Sequence, residues 1–275
     1  MSGRRTLAPF GRRVAPVTSV ESVGAYTVVS ACDSDGPRNP RPGQFYMLAA
    51  AERWGGGADE RPYLPRAFSF ARVRGDGTLD FMLESIGPGT QRLAELRPGE
   101  GLALLGPLGI GFDVQAATAP GARALLVGGG IGAAPLVALQ DELGAHARVL
   151  LGFRSAAHAE AAGLFFAGDP LVVTDDGSVG RKAFVTELLR EELDEDPRVT
   201  VFACGPPPML EAVRALCAER DVPAQLALES GMACGYGACF GCVVPTKDGY
   251  KRLCVDGPVL DGAELESALI AGTGH

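Results

Sequence analysis

The chain has 275 residues, of which 47% are apolar and 21% are charged, a composition typical of a globular protein rather than a disordered or fibrous one. Its net charge of −8 argues against nonspecific nucleic-acid binding, which requires clustered Lys and Arg. The sequence contains no run near the length of about 18 apolar residues that spans a bilayer, and no apolar signal stretch at its N-terminus. We therefore expect a cytoplasmic protein without membrane contact.

The chain begins with a basic patch and continues into a region that predicts a small antiparallel barrel. We interpret the patch, formed by Arg4, Arg5, Arg12 and Arg13, as a solvated terminus. Further along, short β-rich runs at residues 26–29, 44–48 and 79–83 are separated by Gly, Pro and Asp turns. Residues 52–64, which include Trp54 and the three glycines after it, lack periodicity and predict an exposed loop of unassigned function.

Two motifs in this region together predict a flavin site. Arg66-Ala67-Phe68-Ser69 lies at a predicted strand start and brings together a cation, an aromatic ring and a hydroxyl. Twenty residues downstream, Gly87-Pro88-Gly89-Thr90 supplies a tight turn, a hydroxyl and free N–H groups at a helix start, which is an anion site. The first motif alone also fits ordinary strand packing. The pair favours a phosphate-bearing flavin, whose pyrophosphate and flat ring match these groups.

The pattern then changes to alternating strands and helices. We predict strands at residues 124–127, 149–153, 171–174 and 199–203 and helices at 133–143, 183–193 and 208–219. This alternation indicates a parallel sheet with helices on its faces.

Two loops of this predicted α/β region have the features of a nucleotide site. The first follows a buried strand, opens a helix and contains Gly128, Gly129, Gly130 and Gly132, a setting in which the backbone approaches a pyrophosphate. The second contains Cys204, Gly205 and Pro206 at the end of a later strand, where open parallel sheets bind ligands; it is also compatible with a simple Pro-rich turn. Arg154 and Ser155 follow another predicted strand and are placed to meet a 2′-phosphate, so these residues leave NAD and NADP open.

Four of the seven cysteines lie within 21 residues and form the sharpest motif of the sequence. Cys234-x4-Cys239-x2-Cys242, followed by Cys254, is the thiolate arrangement of plant-type [2Fe–2S] clusters, with three ligands from one loop and the fourth from a predicted later strand. Structural zinc is the alternative, but it usually uses two C-x2-C pairs and only one is present. We expect residues from about 225 onward to be ordered by this inorganic centre rather than by their own core. The other cysteines, Cys32, Cys204 and Cys217, have the spacing of isolated buried thiols.

Read in order, these motifs resemble the ferredoxin–NADP reductase superfamily, in which a flavin-binding barrel precedes a nucleotide domain. The run from Glu229 to Val244 and the segment Leu253-Cys254-Val255-Asp256-Gly257-Pro258-Val259 look like the electron-transfer subunits of class B dihydroorotate dehydrogenases, as does the run Thr174-Asp175-Asp176-Gly177-Ser178. The resemblance implies an FAD-binding β-barrel domain at 14–115, an NAD-binding α/β domain at 120–222 and a [2Fe–2S] domain at 225–275.

The resemblance also implies a function and a partner. The partner would be an FMN-containing catalytic subunit that oxidises dihydroorotate to orotate in pyrimidine synthesis, in a heterotetramer of two copies of each chain. Electrons would pass from FMN to the cluster, to FAD and to NAD+. Residues carried over for FAD are Arg66, Ala67, Phe68, Ser69, Leu83, Gly89 and Thr90, and the iron ligands are Cys234, Cys239, Cys242 and Cys254. Ala67 departs from the family, which usually has Pro there.

Proton chemistry would belong to the partner, so we expect no acid–base catalyst in this chain and no catalytic role for His146, His158 or His275. Two other functions remain open on the sequence. One is the flavin and [2Fe–2S] subunit of an NADPH- and ferredoxin-linked transhydrogenase or sulfide dehydrogenase. The other is a non-enzymatic redox-sensing or zinc-bearing protein that has kept a flavin fold.

Overall fold

Two seven-stranded sheets organise the chain in the computed structural model, which describes residues 12–52, 54, 64–118 and 123–269. The first sheet is antiparallel and the second is mainly parallel, as the two sequence patterns predict. A two-stranded hairpin lies in the chain between the last two strands of the second sheet. None of the helices in these ranges combines the length and hydropathy that a membrane span requires.

The antiparallel sheet forms the barrel, in the strand order β4-β3-β7-β1-β2-β6-β5. Its strands are β1 (Arg13–Val23), β2 (Tyr26–Cys32), β3 (Phe45–Ala50), β4 (Arg66–Ser69), β5 (Arg72–Val73), β6 (Thr78–Leu83) and β7 (Gly101–Leu108), with helix α1 (Pro88–Ala94) between β6 and β7. Tyr46, Phe70 and Phe81 fill the interior, and Tyr46 meets both phenyl rings edge-on. The three β-rich runs of the sequence are confirmed as β2, β3 and β6.

The sequence pattern places Arg13 in a solvated terminus, and the structure contradicts this prediction. It lies in β1, where Nε and Nη2 donate to the two carboxylate oxygens of Asp33 at 2.8 and 2.6 Å and Nη2 also donates to the carbonyl of Gly106 at 2.7 Å. The Arg13 side chain is only 11% exposed, so this is a structural ion pair. Arg12 is exposed, and Arg4 and Arg5 lie outside the described residues.

The second sheet has the strand order β11-β10-β9-β8-β12-β13-β16. Its strands are β8 (Arg123–Gly129), β9 (Ala147–Phe153), β10 (Leu171–Thr174), β11 (Arg181–Lys182), β12 (Val199–Cys204), β13 (Ala224–Ala227) and β16 (Val259–Asp261), and its helices are α2 (Gln115–Thr118), α3 (Ala133–Leu143), α4 (Ala156–Ala159), α5 (Val185–Glu195) and α6 (Pro207–Glu219). Alternate residues of β8 point to opposite faces: Leu126 packs with α3, whereas Leu125 and Val127 pack with α5 and α6. This double covering by helices explains the continuous apolar runs of the strands.

The segment after β13 packs on the core of the second sheet, a contact that the sequence patterns do not indicate. It contains the hairpin β14 (Val243–Thr246) and β15 (Gly249–Arg252), helix α7 (Leu253–Asp256) and strand β16. Val244, Leu253 and Leu265 join the same hydrophobic cluster as Leu226 of β13. Both β13 and β16 extend the sheet beyond residue 222, so the domain limits 14–115, 120–222 and 225–275 remain predictions.

Candidate functional site

The predicted flavin motif coincides with one strand of the barrel. Arg66, Ala67, Phe68 and Ser69 constitute β4, which pairs with β3 in the register Leu48↔Arg66 to Phe45↔Ser69. The period of two places Arg66 and Phe68 on one face. Ala67 is exposed and the other three are half-buried, so the motif keeps accessible groups at the edge of the sheet.

The glycine motif lies directly against the arginine of the first motif. A Cβ atom at Gly89 would stand 2.7 Å from Nε and 2.8 Å from Cζ of Arg66, so only glycine leaves the guanidinium where it is. The Thr90 hydroxyl accepts hydrogen bonds from the N–H groups of Ile86 and Gly87 and donates to the Gly87 carbonyl. Thr90 therefore fixes the loop before α1 with its own hydroxyl.

Several groups around Arg66 have unmet bonding capacity that fits a phosphate-bearing flavin. Among the described residues, Arg66 has no carboxylate partner; Nη1 donates to the Leu64 carbonyl at 2.6 Å and Cζ lies 5.8 Å from the centroid of the Trp54 ring. The indole N–H of Trp54 is buried and has no hydrogen-bond partner in the described part of the chain. An orphan donor beside an uncompensated cation is the environment that an anionic ligand stabilises. Leu83, which is also expected to hold FAD, has no accessible side chain. It is 1% exposed and belongs to the barrel core.

The two predicted nucleotide loops lie side by side at the carboxyl ends of adjacent strands. Gly128 at the end of β8 is paired with Cys204 at the end of β12. A Cβ atom at Gly132 would overlap the backbone of Cys204, and one at Gly205 would lie 2.6 Å from Cε of Met209. Gly129 is similarly packed on Pro206, and Gly130 adopts a left-handed φ of 55°. The close approach of the two loops explains their glycines. Burial raises the pKa of the Cys204 thiol, so this residue stays neutral.

The barrel contacts the nucleotide loops through groups that the sequence did not single out. The Tyr26 hydroxyl lies 3.8 Å from a Cβ position at Gly130. The Tyr26 ring meets the His158 ring edge-on at 5.6 Å, and His158 Nε2 lies 3.4 Å from an oxygen of Glu84, the residue after Leu83. Burial, reinforced by Glu84, raises the pKa of Tyr26. Through these contacts, the loop that contains Gly130 lies next to the end of β6, just before the motif that contains Gly89.

The cysteine motif is a tight loop built on left-handed residues. Gly235 and Gly237 have φ values of 80° and 89°, and Phe240 has a φ of 58°. Its fourth cysteine, Cys254, lies in helix α7 just after β15 and not in the strand that the sequence predicts. Glycine adopts these φ values at little cost, so the loop can curl around a central group.

Two of the four thiols are in direct contact. Sγ of Cys242 lies 3.2 Å from Sγ of Cys254, and the backbone N–H of Cys254 also points at Cys242. Although burial opposes ionisation of Cys234, hydrogen bonds from the backbone and thiol of Cys239 and from neighbouring N–H groups lower its pKa to about 6. Burial, with the sulfurs of Cys242 and Cys234 nearby, raises the pKa of Cys254 to about 12.

The contact between the thiols of Cys242 and Cys254 fits two ligands of one metal ion. Structural zinc gathers four thiolates around one ion, whereas a [2Fe–2S] cluster divides them between two irons.

The cysteine loop rests on the barrel next to the flavin motif. A Cβ atom at Gly235 would lie 2.5 Å from Cγ of Met47 in β3 and 3.1 Å from Cδ1 of Leu108 in β7. Met47 is the register partner of Ala67 in the flavin motif. A cavity of about 310 Å³ lies at this junction and is lined by Arg12, Met47, Leu64, Pro65, Leu105, Ala233, Cys234 and Tyr236. The predicted cluster ligands and the predicted flavin strand are thus neighbours.

Solved structures of flavin-dependent reductases share this fold. The NADH-dependent reduced ferredoxin–NADP oxidoreductase, described in work on flavin-based electron bifurcation, has a TM-score of 0.79 at 23% identity and covers 95% of this chain and 93% of that chain. A ferredoxin–NADP+ reductase from Neisseria gonorrhoeae with bound FAD and NADP has a TM-score of 0.58 at 16% identity over 76% of this chain and 91% of its own. The architecture is that of the ferredoxin–NADP reductases.

Sequence comparison gives the family. Residues 229–266 match the iron–sulfur cluster binding domain of dihydroorotate dehydrogenase B. The electron transfer subunits of dihydroorotate dehydrogenase B (NAD+) from Bacillus caldolyticus and Clostridium acetobutylicum are 41% and 36% identical to the chain over 238 and 227 residues, in each case 82% of this chain and 86% of the relative. The chain belongs to the family of dihydroorotate dehydrogenase B electron transfer subunits.

Proposed function

We propose that this chain carries electrons from the FMN of a dihydroorotate-oxidising catalytic subunit, by way of a [2Fe–2S] cluster and an FAD that it holds itself, to NAD+. The observation that carries the proposal is the packing of the cysteine loop on β3, whose neighbour β4 is the flavin motif. Electron transfer needs no proton donor at the cluster, and the chain's task is to hold its cofactors close together.

We assign FAD to the barrel domain, residues 14–115. Arg66 would bind the pyrophosphate, because it lacks a carboxylate partner among the described residues and Gly89 leaves its guanidinium free. Phe68 and Ser69 would meet the ring system, Leu83 would contribute backbone groups, and Thr90 holds the phosphate-facing loop. When bound, a flavin converts between single electrons and a hydride, which suits the middle place in the relay.

We assign the cluster to residues 225–275, with one iron held by Cys234 and Cys239 and the other by Cys242 and Cys254. The contact between the thiols of Cys242 and Cys254 supports this division. Thiolates are the form of cysteine that binds metal.

We assign NAD(H) to residues 120–222, with the pyrophosphate at Gly128, Gly129, Gly130 and Gly132 and the reactive end near Cys204, Gly205 and Pro206. The adjacency of the two loops supports a single ligand that touches both. The partner would be the catalytic subunit, in a complex of two copies of each chain. Thiol-ligated iron and pyrimidine synthesis favour the reducing cytoplasm as the location.

The test is anaerobic co-purification from the native cell, followed by metal and flavin analysis. We expect a brown-yellow complex with two irons per FAD, a partner that contains FMN, and dihydroorotate-dependent NAD+ reduction. Cys239→Ala should abolish the paramagnetic signal of the reduced cluster and the activity, while the FAD absorbance remains. Iron-free material that is folded, or a persistent signal in Cys239→Ala, contradicts the proposal.

A second candidate is the subunit of an NADPH-linked, ferredoxin-dependent oxidoreductase. The observation that favours it is Arg154, which follows β9 at the nucleotide end of the sheet and is 73% exposed, as a 2′-phosphate ligand would be. Titrating the purified complex with NADH and NADPH, with and without dihydroorotate, separates the two functions.

A further inference from the structure

Arg252 links the segments that carry the four cysteines. It lies at the end of β15, two residues before Cys254. Its Nη1 donates to the carbonyl of Gly237 at 3.1 Å, and its Cζ lies 5.3 Å from the centroid of the Phe240 ring. Gly237 and Phe240 lie in the two intervals that separate the first three cysteines. One side chain therefore contacts every turn of the ligand loop.

Both contacted residues, Gly237 through its carbonyl and Phe240 through its ring, have left-handed backbone. For a non-glycine residue this conformation is strained and persists only when the surroundings hold it. Phe240 has this conformation, and its side chain is 63% exposed, so the barrel and sheet cores do not hold it. The stacked guanidinium supplies a favourable contact at this place. Arg252 thus supports the strained turn between Cys239 and Cys242.

The charge of Arg252 faces the loop. Its carboxylate partner, Asp256, lies behind it: Oδ2 accepts the backbone N–H of Arg252 at 3.0 Å and lies 3.7 Å from Nε. The Nη1 end points the other way, to Gly237. The neighbouring cation of the hairpin, Lys251, is instead paired with Glu264. The guanidinium of Arg252 is therefore held between Asp256 and the loop that carries the first three cysteines.

We propose that Arg252 is a positioning residue of the [2Fe–2S] cluster and that its charge raises the reduction potential of that cluster. The inference rests on the proposed function, because it takes the four cysteines as ligands of the cluster. The cluster accepts one electron from the catalytic subunit without making or breaking a covalent bond. A fixed cation stabilises the more negative, reduced form more than the oxidised form, and Asp256 opposes this effect.

The test uses the purified holoprotein with three variants, Arg252→Gln, Arg252→Lys and Asp256→Asn. The control is Lys251→Gln, which removes the same charge from the preceding residue of the hairpin. The readouts are the midpoint potential from a redox titration followed by electron paramagnetic resonance, the shape of that signal, and the rate of iron release to a chelator. FAD absorbance and the thermal midpoint report whether each variant is folded.

We expect Arg252→Gln to shift the potential to more negative values and to release iron about tenfold faster, the usual cost of losing a group that orients a metal ligand. Arg252→Lys should keep most of the potential but alter the paramagnetic signal, because the flat stacked contact is lost. Asp256→Asn should shift the potential in the opposite direction, and Lys251→Gln should have the smallest effect.

Equal shifts in Arg252→Gln and Lys251→Gln would overturn the inference, because they would show a general charge effect. A wild-type potential and release rate in Arg252→Gln would overturn it too. If instead the wild-type protein contains no cluster, the proposed function fails, and the two failures are distinguished by the iron content of the wild-type protein.

Discussion

At the scale of single residues, the absence of one methyl group decides whether the flavin motif is accessible. Gly89 packs so closely on the guanidinium of Arg66 that a Cβ atom must displace it. The guanidinium is the end of a flexible side chain, so the displacement costs little folding free energy. It moves the cation away from the place where a pyrophosphate would bind.

We therefore predict that Gly89→Ala lowers FAD affinity by about tenfold, which corresponds to one weakened charged hydrogen bond, and changes the free energy of unfolding by less than about 0.5 kcal/mol. Fluorescence titration of apoprotein with FAD measures the first quantity and thermal unfolding the second. Gly75→Ala, in the same barrel but outside the flavin motifs, is the matched control, because a Cβ atom there has nothing within 4 Å. Equal affinities in the two variants would contradict the role of Arg66.

Residues with local sequence signals could be predicted, and those defined by distant contacts could not. The four cysteines and the Arg-x-Phe-Ser run are recognisable because spacing alone indicates their chemistry. Trp54 and Arg252 carry no such signal: the first meets Arg66 across a loop, and the second meets Gly237 fifteen positions away. For Arg13 the prediction of a solvated side chain was wrong, because its partner Asp33 is twenty positions away in the sequence.

At the scale of elements, α6 anchors the end of the chain. Glu211 on this helix accepts hydrogen bonds from Arg214, from the Ser267 hydroxyl at 3.0 Å and from the Ala268 N–H. These contacts, with Arg214 the strongest, lower the pKa of Glu211 from 4.5 to about 2. Because the pKa is lower in the folded state, the stabilisation is complete above about pH 4.5 and is lost as the pH falls toward 2.

We predict that Glu211→Gln at pH 7 reproduces the acid effect by loosening residues 265–269 and lowering the free energy of unfolding by about 1 kcal/mol. Hydrogen exchange of the Ala268 N–H measures the local change and chemical denaturation the global one. Glu219→Gln, on the exposed end of the same helix, is the control and should leave both unchanged. Protection of Ala268 that is equal in both variants would count against the anchor.

Elements with a clear apolar pattern were predictable, and those that depend on distant contacts were not. Helix α3 and strand β10 have the bounds that the apolar patterns predict. Strand β16 has three residues, and its pairing with β13 depends on a contact across more than thirty positions, so no local pattern indicates it. Cys254 was expected in a strand because β15 leads directly to it, but Asp256 caps a helical turn there.

At the scale of the whole molecule, the barrel and the nucleotide domain meet at a turn that tolerates only glycine. Gly24 has a φ of 58°, and a Cβ atom on it would overlap the carbonyl oxygen of Ala157 in α4. The backbone N–H of Ala25 donates a hydrogen bond to the carbonyl oxygen of Ala157 at 2.9 Å. This contact fixes the barrel against the nucleotide domain beside the Glu84–His158 pair.

We predict that Gly24→Ala separates the two domains locally and slows electron exchange between FAD and NAD(H) about tenfold, because misplacement of about 1 Å is enough for such losses. Iron and FAD content should stay at wild-type levels. Stopped-flow reduction of the bound FAD by NADH measures the rate. Gly144→Ala is the control, since it has the same left-handed φ of 59° with nothing within 4 Å; an equal rate in both variants would contradict the prediction.

The order of the functional regions along the chain follows from the motifs alone, but their packing does not. No sequence pattern indicates that Gly235 rests on Met47, because the two residues belong to different regions and the contact depends on the tertiary fold. The packing of the last region on the second sheet could not be predicted for a related reason. Its apolar residues are too few to show periodicity, yet they complete a core that Leu226 and its neighbours begin.

The pairing of β16 with β13 has a consequence for how such proteins can diversify. The iron-binding segment leaves the nucleotide sheet at one strand and returns to the same sheet at the neighbouring one. It is an insertion within that sheet and not an appendage at its end. Recombination that exchanges this segment between relatives must therefore preserve the pairing of β16 with β13. A transplanted segment that ends before β16 leaves the backbone of β13 open to pairing with other chains.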